Sequence, residues 1–480
     1  MPIYIYNSLS RKKDELIPLK PKEIKMYVCG PTVYDQPHIG HARSAYVFDV
    51  IRRCLMHKEY QVKFVRNVTD VDDKIIDKAQ KEFKHEDLSQ AVKKVSAKYL
   101  DLYHQDMKSL GILEPDFEPK ATDYVSSENP LMQKFIEQLI NRGHAYISEG
   151  DVYFDIRKAK DYGKLSNQAI DKMEIGARIA LGEKKKDALD FALWKTAKAN
   201  EPAWDSPWGK GRPGWHIECS VMSSDILGDE FDIHGGGIDL IFPHHENEIA
   251  QSEGAGKKFA RYWIHHGLLT INGQKMSKSL GNFITVKDFL NKYKNADLLK
   301  LLFLSTHYSH PVDYTDEKIQ EAKQALDRIL ILWGKISTKT EAKFIGRIPP
   351  ELEVVKNKFI SAMDDDFNTP QGLAAIFELV SLTNKNLDNQ EFVLASRDIL
   401  LELTKQFGLI LPGSLLGLEL NETINLNDSL EAEITEKIKL RNEARDRKDF
   451  EASDRLREEL EKKGIILEDT KDKTIWRRKL

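Results

Sequence analysis

Three cysteines in 480 residues, an odd count, cannot build a disulfide framework. That excludes the small cross-linked secreted class and leaves Cys29, Cys54 and Cys219 as packing residues or ligands in a reducing compartment. No apolar stretch approaches the ~20 residues of a membrane span, so no membrane partner is expected. The opening MPIYIYNSLS has neither a basic segment followed by an apolar one nor an Arg-rich presequence, and a cytoplasmic location is the expectation. Net charge is also scarce. At −4, from 72 Lys plus Arg against 76 Asp plus Glu, the chain lacks a general coat for a polyanion, although local basic patches remain open to it. Internal repeats and long low-complexity tracts are absent as well.

What is present is a long, ordinary globular composition, 41% hydrophobic and 31% charged, which should divide into two to four domains. Residues 24–30, IKMYVCG, read as a short apolar strand ending in Gly-Pro, and HIGHARSAYVFDVIRRCLM runs at helical spacing through Ile39, Ala42, Ala45, Val47, Val50, Ile51 and Leu55. A second strand, YQVKFVR, and helical sequence to about Leu110 follow. This alternation predicts an α/β, doubly wound (Rossmann-type) parallel sheet. It breaks near Glu114–Pro130, and a helix, the strand-like YISEGDVYFDI and the Lys-rich GEKKKDALDFALWK look like an insertion. The β/α signal resumes in GWHIECSVMSSDILG, FDIHGGGIDLIFPHHENEIAQSEGAG and YWIHHGLLTINGQKMSKSLGN. Beyond Val286 long helical segments predict a bundle, then a linker, one charged helix from Leu430 capped by Gly464, and a small hairpin. The expected boundaries are 1–120 and 201–265 for the two sheet halves, 121–200 for the inserted subdomain, 266–315 for the KMSKS region, 316–412 for the α-helical bundle and 420–480 for a small C-terminal α+β domain.

In PTVYDQPHIGH, His38 and His41 flank Gly40 at the entry of a helix, whose free N–H groups and partial positive charge suit a nucleotide phosphate. Two imidazoles there can donate to a phosphoryl oxygen as charge builds; the bland alternative is a polar cap or half a structural metal site. In Gly273–Asn282, GQKMSKSLGN, Lys275 and Lys278 lie three apart in a loop able to bring mobile charges to a triphosphate, although an isolated K-x-x-K is ordinary surface. Cys219 lies in GWHIECS, and His244 and Glu248 are four apart in PHHENE, so on a helix they share a face. With Cys29 they offer two S, one N and one O donor, a set that suits zinc, but the residues alone leave His245 and Glu246 open. Cys54, inside the apolar face of the HIGH helix, reads as a small core residue.

HIGH and KMSKS, unsubstituted and in this order, resemble the paired signatures of the class I aminoacyl-tRNA synthetases. CGPTVYDQPHIGH, GWHIECS, FDIHGGGIDLIFPHHENEIAQ and KMSKSLGNF are together similar to the cysteine-activating branch of that family, and the resemblance runs from Tyr4 to Trp476. It implies a ligase that joins L-cysteine to ATP as an adenylate and passes it to tRNA(Cys), acting as a monomer. It further implies one zinc held by Cys29, Cys219, His244 and Glu248, with catalysis by His38, His41, Lys275 and Lys278. ATP with Mg²⁺ would be bound by His38, Gly40, His41, Gly236, Asp239 and Lys278, with His234, Gly235 and Gly237 beside the adenosine. Gly30, Thr69 and Trp215 would line the amino-acid pocket. In the 420–480 domain, implied to recognise the anticodon, Arg441, Arg445, Lys448, Arg455, Phe450, Trp476 and Arg477 mix cations with aromatic faces, although interleaved acids also fit a solvated helix. Selectivity supports zinc: a purely steric pocket rejects a near-isostere only about 10²-fold, whereas a soft thiolate gains metal coordination that a serine hydroxyl does not. No editing insertion is seen. Two other readings are a cysteine ligase acting on a small amino-sugar acceptor, and a catalytically silent paralogue that binds tRNA or zinc.

Overall fold

The computed structural model describes residues 2–168, 184–277, 280–337, 344–413, 428–447, 449–462, 465–469 and 474–478. Lys278, Lys448 and Gly464 therefore lie outside the described residues. The chain divides into two compact units, one formed by residues 1–287, 303–314 and 361–370, the other by 288–302, 315–360 and 371–480.

The first unit is built on the expected parallel sheet, four strands in the order Phe259–His266, Glu230–Gly237, Glu23–Val28, Gln61–Arg66. The last three or more residues of every strand are buried, as a sheet covered on both faces requires. The winding reverses between Glu23–Val28 and Glu230–Gly237, and the crevice beyond the carboxyl ends at such a switch point is where doubly wound sheets hold ligands. Cys29 and Gly237 stand at that edge. The helix Ile39–His57 connects the first two strands, and Trp215–Leu227 leads into the third.

The insertion forms a four-stranded antiparallel sheet, Ala145–Ser148, Asp151–Phe154, Phe191–Thr196 and Gly211–Pro213. Its first hairpin closes on Glu149 and Gly150, both with positive φ (49° and 88°), the backbone that a two-residue turn between twisted strands demands. Phe154, Phe191 and Trp194 pack in one core with Ile217, Cys219, Met222 and Trp263, so the insertion shares its core with the sheet. Two features carried no readable period in the sequence: a hairpin Tyr4–Asn7 with Lys12–Glu15, and a ladder of Gln274–Lys275, Leu269–Ile271 and Val312–Tyr314. Strands of two to four residues are too short to show one.

The second unit is helical. Asp316–Ile336 and Gln390–Gln406 each turn an apolar stripe inward, with Leu326, Ile329 and Trp333 buried on the first and Val393, Leu400 and Leu403 on the second. Lys300 is buried, donating to Asp297 Oδ1 at 2.9 Å and to Gly408 O at 2.7 Å. The single charged helix expected from Leu430 is instead two, Asp428–Asp446 and Phe450–Lys462. Asp449 causes the break: its Oδ1 accepts the N–H of Ala452 at 3.1 Å and so caps a new helix. Ile438, Leu460, Ile465 and Leu467 pack together beneath the strands Ile465–Asp469 and Thr474–Arg478.

Candidate functional site

Cys29 is the first residue past the strand Glu23–Val28, its N–H donating to Gly235 O at 3.1 Å across the sheet. The next residue, Gly30, donates to Asn67 Oδ1 at 2.8 Å and approaches Asn67 so closely that a β-carbon would lie 1.6 Å from its carbonyl oxygen. Cys219 comes from the helix Trp215–Leu227. His244 comes from an irregular turn, and Glu248 from the helix Glu246–Gly254 that continues it.

These four donors converge. Cys29 Sγ lies 3.8 Å from Cys219 Sγ and 3.7 Å from Glu248 Oε1, Cys219 Sγ is 3.5 Å from His244 Nε2, and His244 Nε2 is 3.1 Å from Glu248 Oε1. Ligands about 2.0–2.3 Å from one tetrahedral ion lie roughly 3.3–3.8 Å apart, so the three separations that involve sulfur fit a zinc-sized cation and the His244–Glu248 separation is slightly shorter. A second grouping, Cys29, His234, His245 and Glu248, is equally compact. There, however, His234 Nε2 and Glu248 Oε2 are 2.8 Å apart, a hydrogen-bond length. Glu246, the neighbour left open by the sequence, is occupied elsewhere: its carboxylate accepts the N–H groups of Gly163 at 3.0 Å and Ser166 at 2.7 Å.

Burial sets the charges. It pushes the thiols of Cys29 and Cys219 and the carboxyl of Glu248 upward, and holds His244 and His245 far below the ordinary imidazole value. Such a cluster is neutral until a divalent cation inverts the preference. Around it lies a ring of histidines that sequence reasoning did not assign. His216 Nδ1 meets His244 Nδ1 at 2.9 Å, which turns the other nitrogen of His244 to the cluster. His245 Nε2 is 3.3 Å from Cys29 Sγ, and its Nδ1 meets His265 Nε2 at 2.8 Å. The pairs HH at 244–245 and 265–266 were the available signal, but only the fold shows them facing one another. His234, expected beside the adenosine, is instead buried against Trp263 and bonded to Glu248.

Trp215 stacks on the His244 ring (centroids 4.2 Å apart, 21°) and remains 40% exposed, an apolar face beside the cluster. Thr69 is buried, its hydroxyl donating to Glu218 Oε2 at 2.6 Å. Gly236 sits against the His245 ring, and Asp239 is exposed just past the carboxyl end of its strand.

The HIGH residues cap their own helix. His38 Nδ1 accepts from the N–H groups of Gly40 (3.1 Å) and His41 (3.3 Å), and His41 Nδ1 accepts from the N–H of His38 (3.2 Å). The KMSKS side is tied to the same place: Ile39 N–H donates to Ile284 O and Val286 N–H to Pro37 O, both at 3.1 Å, and Phe283 meets the His38 ring edge-on. Lys275 is exposed at the end of its ladder. Asn282 clasps the loop, donating to Lys275 O at 3.2 Å and accepting from Ser277 N–H at 2.8 Å.

Comparison with known proteins identifies the family. The model of the tRNA synthetases class I (C) catalytic domain matches residues 15–324, a DALR domain model matches 358–411, and that of the cysteinyl-tRNA ligase anticodon binding domain matches 427–477. Cysteine–tRNA ligases of Anoxybacillus flavithermus and Aquifex aeolicus are 46% and 43% identical to this chain, which each covers over 100% of its length, and 100% and 99% of those proteins are covered. The chain belongs to the cysteine–tRNA ligase family of class I aminoacyl-tRNA synthetases. Two solved synthetases share the fold at low identity. Methionyl-tRNA synthetase of Mycobacterium tuberculosis with methionyl-adenylate has a TM-score of 0.58 at 15% identity, covering 80% of this chain and 89% of that one. A leucyl enzyme of Agrobacterium radiobacter in a ternary complex reaches 0.59 at 12%, with 82% and 84% covered. In the region matched by the family's anticodon domain, Arg445, Arg455 and Phe450 are exposed, but Arg441 is not the nucleic-acid cation expected from the sequence. It is 3% exposed and donates to Thr474 Oγ1 at 3.3 Å, bracing the hairpin. Among the described residues, no helix is long and apolar enough to cross a membrane.

Proposed function

We propose that this chain is an enzyme that activates L-cysteine with ATP, giving cysteinyl-adenylate and pyrophosphate, and transfers the cysteinyl group to the 3′-terminal ribose of tRNA(Cys). The observation that carries this reading is the convergence of Cys29, Cys219, His244 and Glu248 at ligand spacing, at the sheet edge from which the HIGH helix departs. These four residues would hold zinc, which would supply a soft Lewis acid that prefers a thiolate to a hydroxyl and so would favour cysteine over serine at the binding step.

The chain's own residues do the rest. Trp215 offers the substrate an apolar face, and the close turn at Gly30 and Thr69 limits its length. The substrate carboxylate is then held towards the α-phosphate of ATP. His38 and His41 donate from Nε2 to the phosphate oxygens as charge accumulates, and Lys275 and Lys278, with Mg²⁺, neutralise the departing pyrophosphate. Gly40, Gly236 and Asp239 complete the ATP site. No covalent bond to the enzyme is needed, so positioning and charge stabilisation supply the rate. The exposed cations and Phe450 of the last domain suit an unstacked anticodon. The cytoplasmic location rests on the sequence reading, and the monomeric state on the family resemblance.

ATP–pyrophosphate exchange with each amino acid, followed by charging of tRNA, tests the reading. Cysteine alone should drive exchange and should then appear on tRNA(Cys). Equal exchange with serine would sink the selectivity argument, exchange without charging would point to a small-acceptor ligase, and no exchange would leave a silent binder.

A further inference from the structure

The helix that begins with the HIGH motif is gripped at both ends by one elbow of chain distant in sequence. Asp366 and Phe367, between the helices Pro350–Asp364 and Thr369–Lys385, have φ of 61° and 49°, a left-handed conformation that non-glycine residues seldom adopt. Such backbone persists only where its surroundings over-determine it. Here they do: Asp366 N–H donates to Tyr4 O at 2.8 Å, and its Oδ1 accepts from Tyr6 N–H at 2.8 Å and from the Tyr308 hydroxyl at 2.5 Å. At the far end of the helix, Lys58, its C-terminal cap, donates to Asp364 Oδ2 at 2.6 Å.

Tyr308 relays the grip to the start of the helix. Its carbonyl accepts from Gly267 N–H at 2.9 Å and from Arg43 Nη2 at 3.2 Å. Arg43 stands two residues after His41 and is 1% exposed; it also donates to His310 O and, at 2.5 Å, to Leu268 O. Leu268 directly precedes the strand that pairs with Gln274–Lys275. One guanidinium thus fans across three carbonyls and joins the start of the HIGH helix to the root of the KMSKS ladder. A lysine could reach only part of that fan, because its donors share one nitrogen. None of Arg43, Tyr308, Asp366 and Lys58 is a donor of the metal cluster.

We propose that Tyr308 and Arg43 are positioning residues for adenylate formation: Tyr308, locked by Asp366, holds through Arg43 the helix start bearing His41 in register with the strand leading to Lys275. This rests on the reading that the two signatures serve ATP.

Tyr308→Phe deletes only the hydroxyl, and Arg43→Lys keeps the charge while breaking the fan. In ATP–pyrophosphate exchange at saturating cysteine, each should lower kcat about tenfold and raise KM for ATP, because small misplacements of catalytic groups are amplified in rate. KM for cysteine and zinc content should stay at wild-type values. The double variant should fall by less than the product of the two single effects, since both break one chain of contacts. Lys13→Met, which removes only the exposed ion pair to Asp365, should leave every constant unchanged. Either single variant retaining wild-type kcat and KM for ATP per folded, zinc-loaded molecule would overturn the proposal, even with a lowered Tm. So would an equal rise in KM for cysteine. Absence of exchange in the wild type would overturn the underlying reading as well, and is recognised before any variant is made.

Discussion

His38 and His41 lie face to face, ring centroids 3.7 Å apart and planes 20° from parallel, each ring accepting a backbone N–H of the turn they share through Nδ1. An imidazole that accepts at Nδ1 carries its proton at Nε2. The helix cap therefore selects the tautomer that the nucleotide site uses: both rings are oriented as neutral Nε2–H donors, and capping and catalysis draw on opposite edges of the same ring.

His41→Asn separates the two edges. The amide oxygen can still accept the His38 N–H, so helix stability should change by less than the ~1 kcal/mol of a lost cap. Loss of the Nε2 donor should lower kcat of exchange about 10²-fold or more, the usual cost of one donor to a developing oxyanion. Tm and exchange kinetics measured on one preparation check both halves. Burial, reinforced by His38, also holds the pKa of His41 down at about 3. Its folded value lies below its unfolded one of 6.5, so neutral His41 contributes stability above pH 6.5 that is lost as pH falls towards 3. Urea unfolding at pH 7, 5 and 4 should show the wild type losing stability more steeply than His41→Asn, and exchange should have no acid limb from this residue near pH 6.

The metal cluster makes a prediction about protons. Cys29, Cys219 and Glu248 are each pushed towards their protonated forms by burial, and a cation must displace those protons. Zinc titrated into metal-free protein near pH 7 should release roughly two to three protons per ion, read by calorimetry in buffers of different ionisation enthalpy. Cys219→Ala should bind zinc poorly, release fewer protons and lose cysteine-dependent exchange.

Two glutamates, two residues apart, should behave differently. Glu248→Gln should lose zinc and leave the fold largely intact. Glu246→Gln should keep zinc, yet weaken the carboxylate's hold on Gly163 and Ser166, at a cost of about 1.5–3 kcal/mol per charged hydrogen bond disturbed. Metal content by elemental analysis and stability by urea titration distinguish them. Zinc retained in Glu248→Gln and lost in Glu246→Gln would reverse the assignment.

That pair also marks where the sequence stopped being legible. The parallel strands could be read because apolar residues recur in short runs, two of them ending at small residues (Cys29-Gly30 and Gly235–Gly237), and Cys29 and Cys219 because so few cysteines compete with them. His244 and His245 offer identical chemistry, as do Glu246 and Glu248, and the turn at 241–245 is too irregular for helical spacing to choose between them. Tertiary contacts decide the glutamate, since the loop at 163–166 claims Glu246, but His244 and His245 each give one nitrogen to another histidine, His216 and His265, and the preference for His244 is what the family resemblance implies. The histidine ring, the Arg43 fan and the burial of Arg441 are likewise relations between distant segments. The break before Phe450 was different in kind, because Asp449 is an ordinary cap and only the unbroken charge pattern on either side concealed it.

The last prediction concerns the residue that sets where the first sulfur points. Gly30 lies between Cys29 and Pro31, and its β-position falls 1.6 Å from Asn67 O and 2.7 Å from Asn67 C, both backbone atoms with no rotamer to relieve a clash. Gly30→Ala must therefore displace either the strand end at Asn67 or the turn carrying Cys29. The strand end is the stiffer, since the N–H groups of Arg66 and Val68 on either side of Asn67 are held by Phe117 O and Pro119 O at 3.1 and 2.9 Å. The turn should move, carrying Cys29 Sγ away from Cys219 and Glu248. Overpacking of this kind costs about 1–3 kcal/mol, too little to unfold a domain of this size. The variant should accordingly fold, keep ATP binding at the HIGH helix, and lose most of its zinc and its preference for cysteine. ATP binding measured beside metal content checks this: wild-type zinc in Gly30→Ala would show that the turn does not place the sulfur.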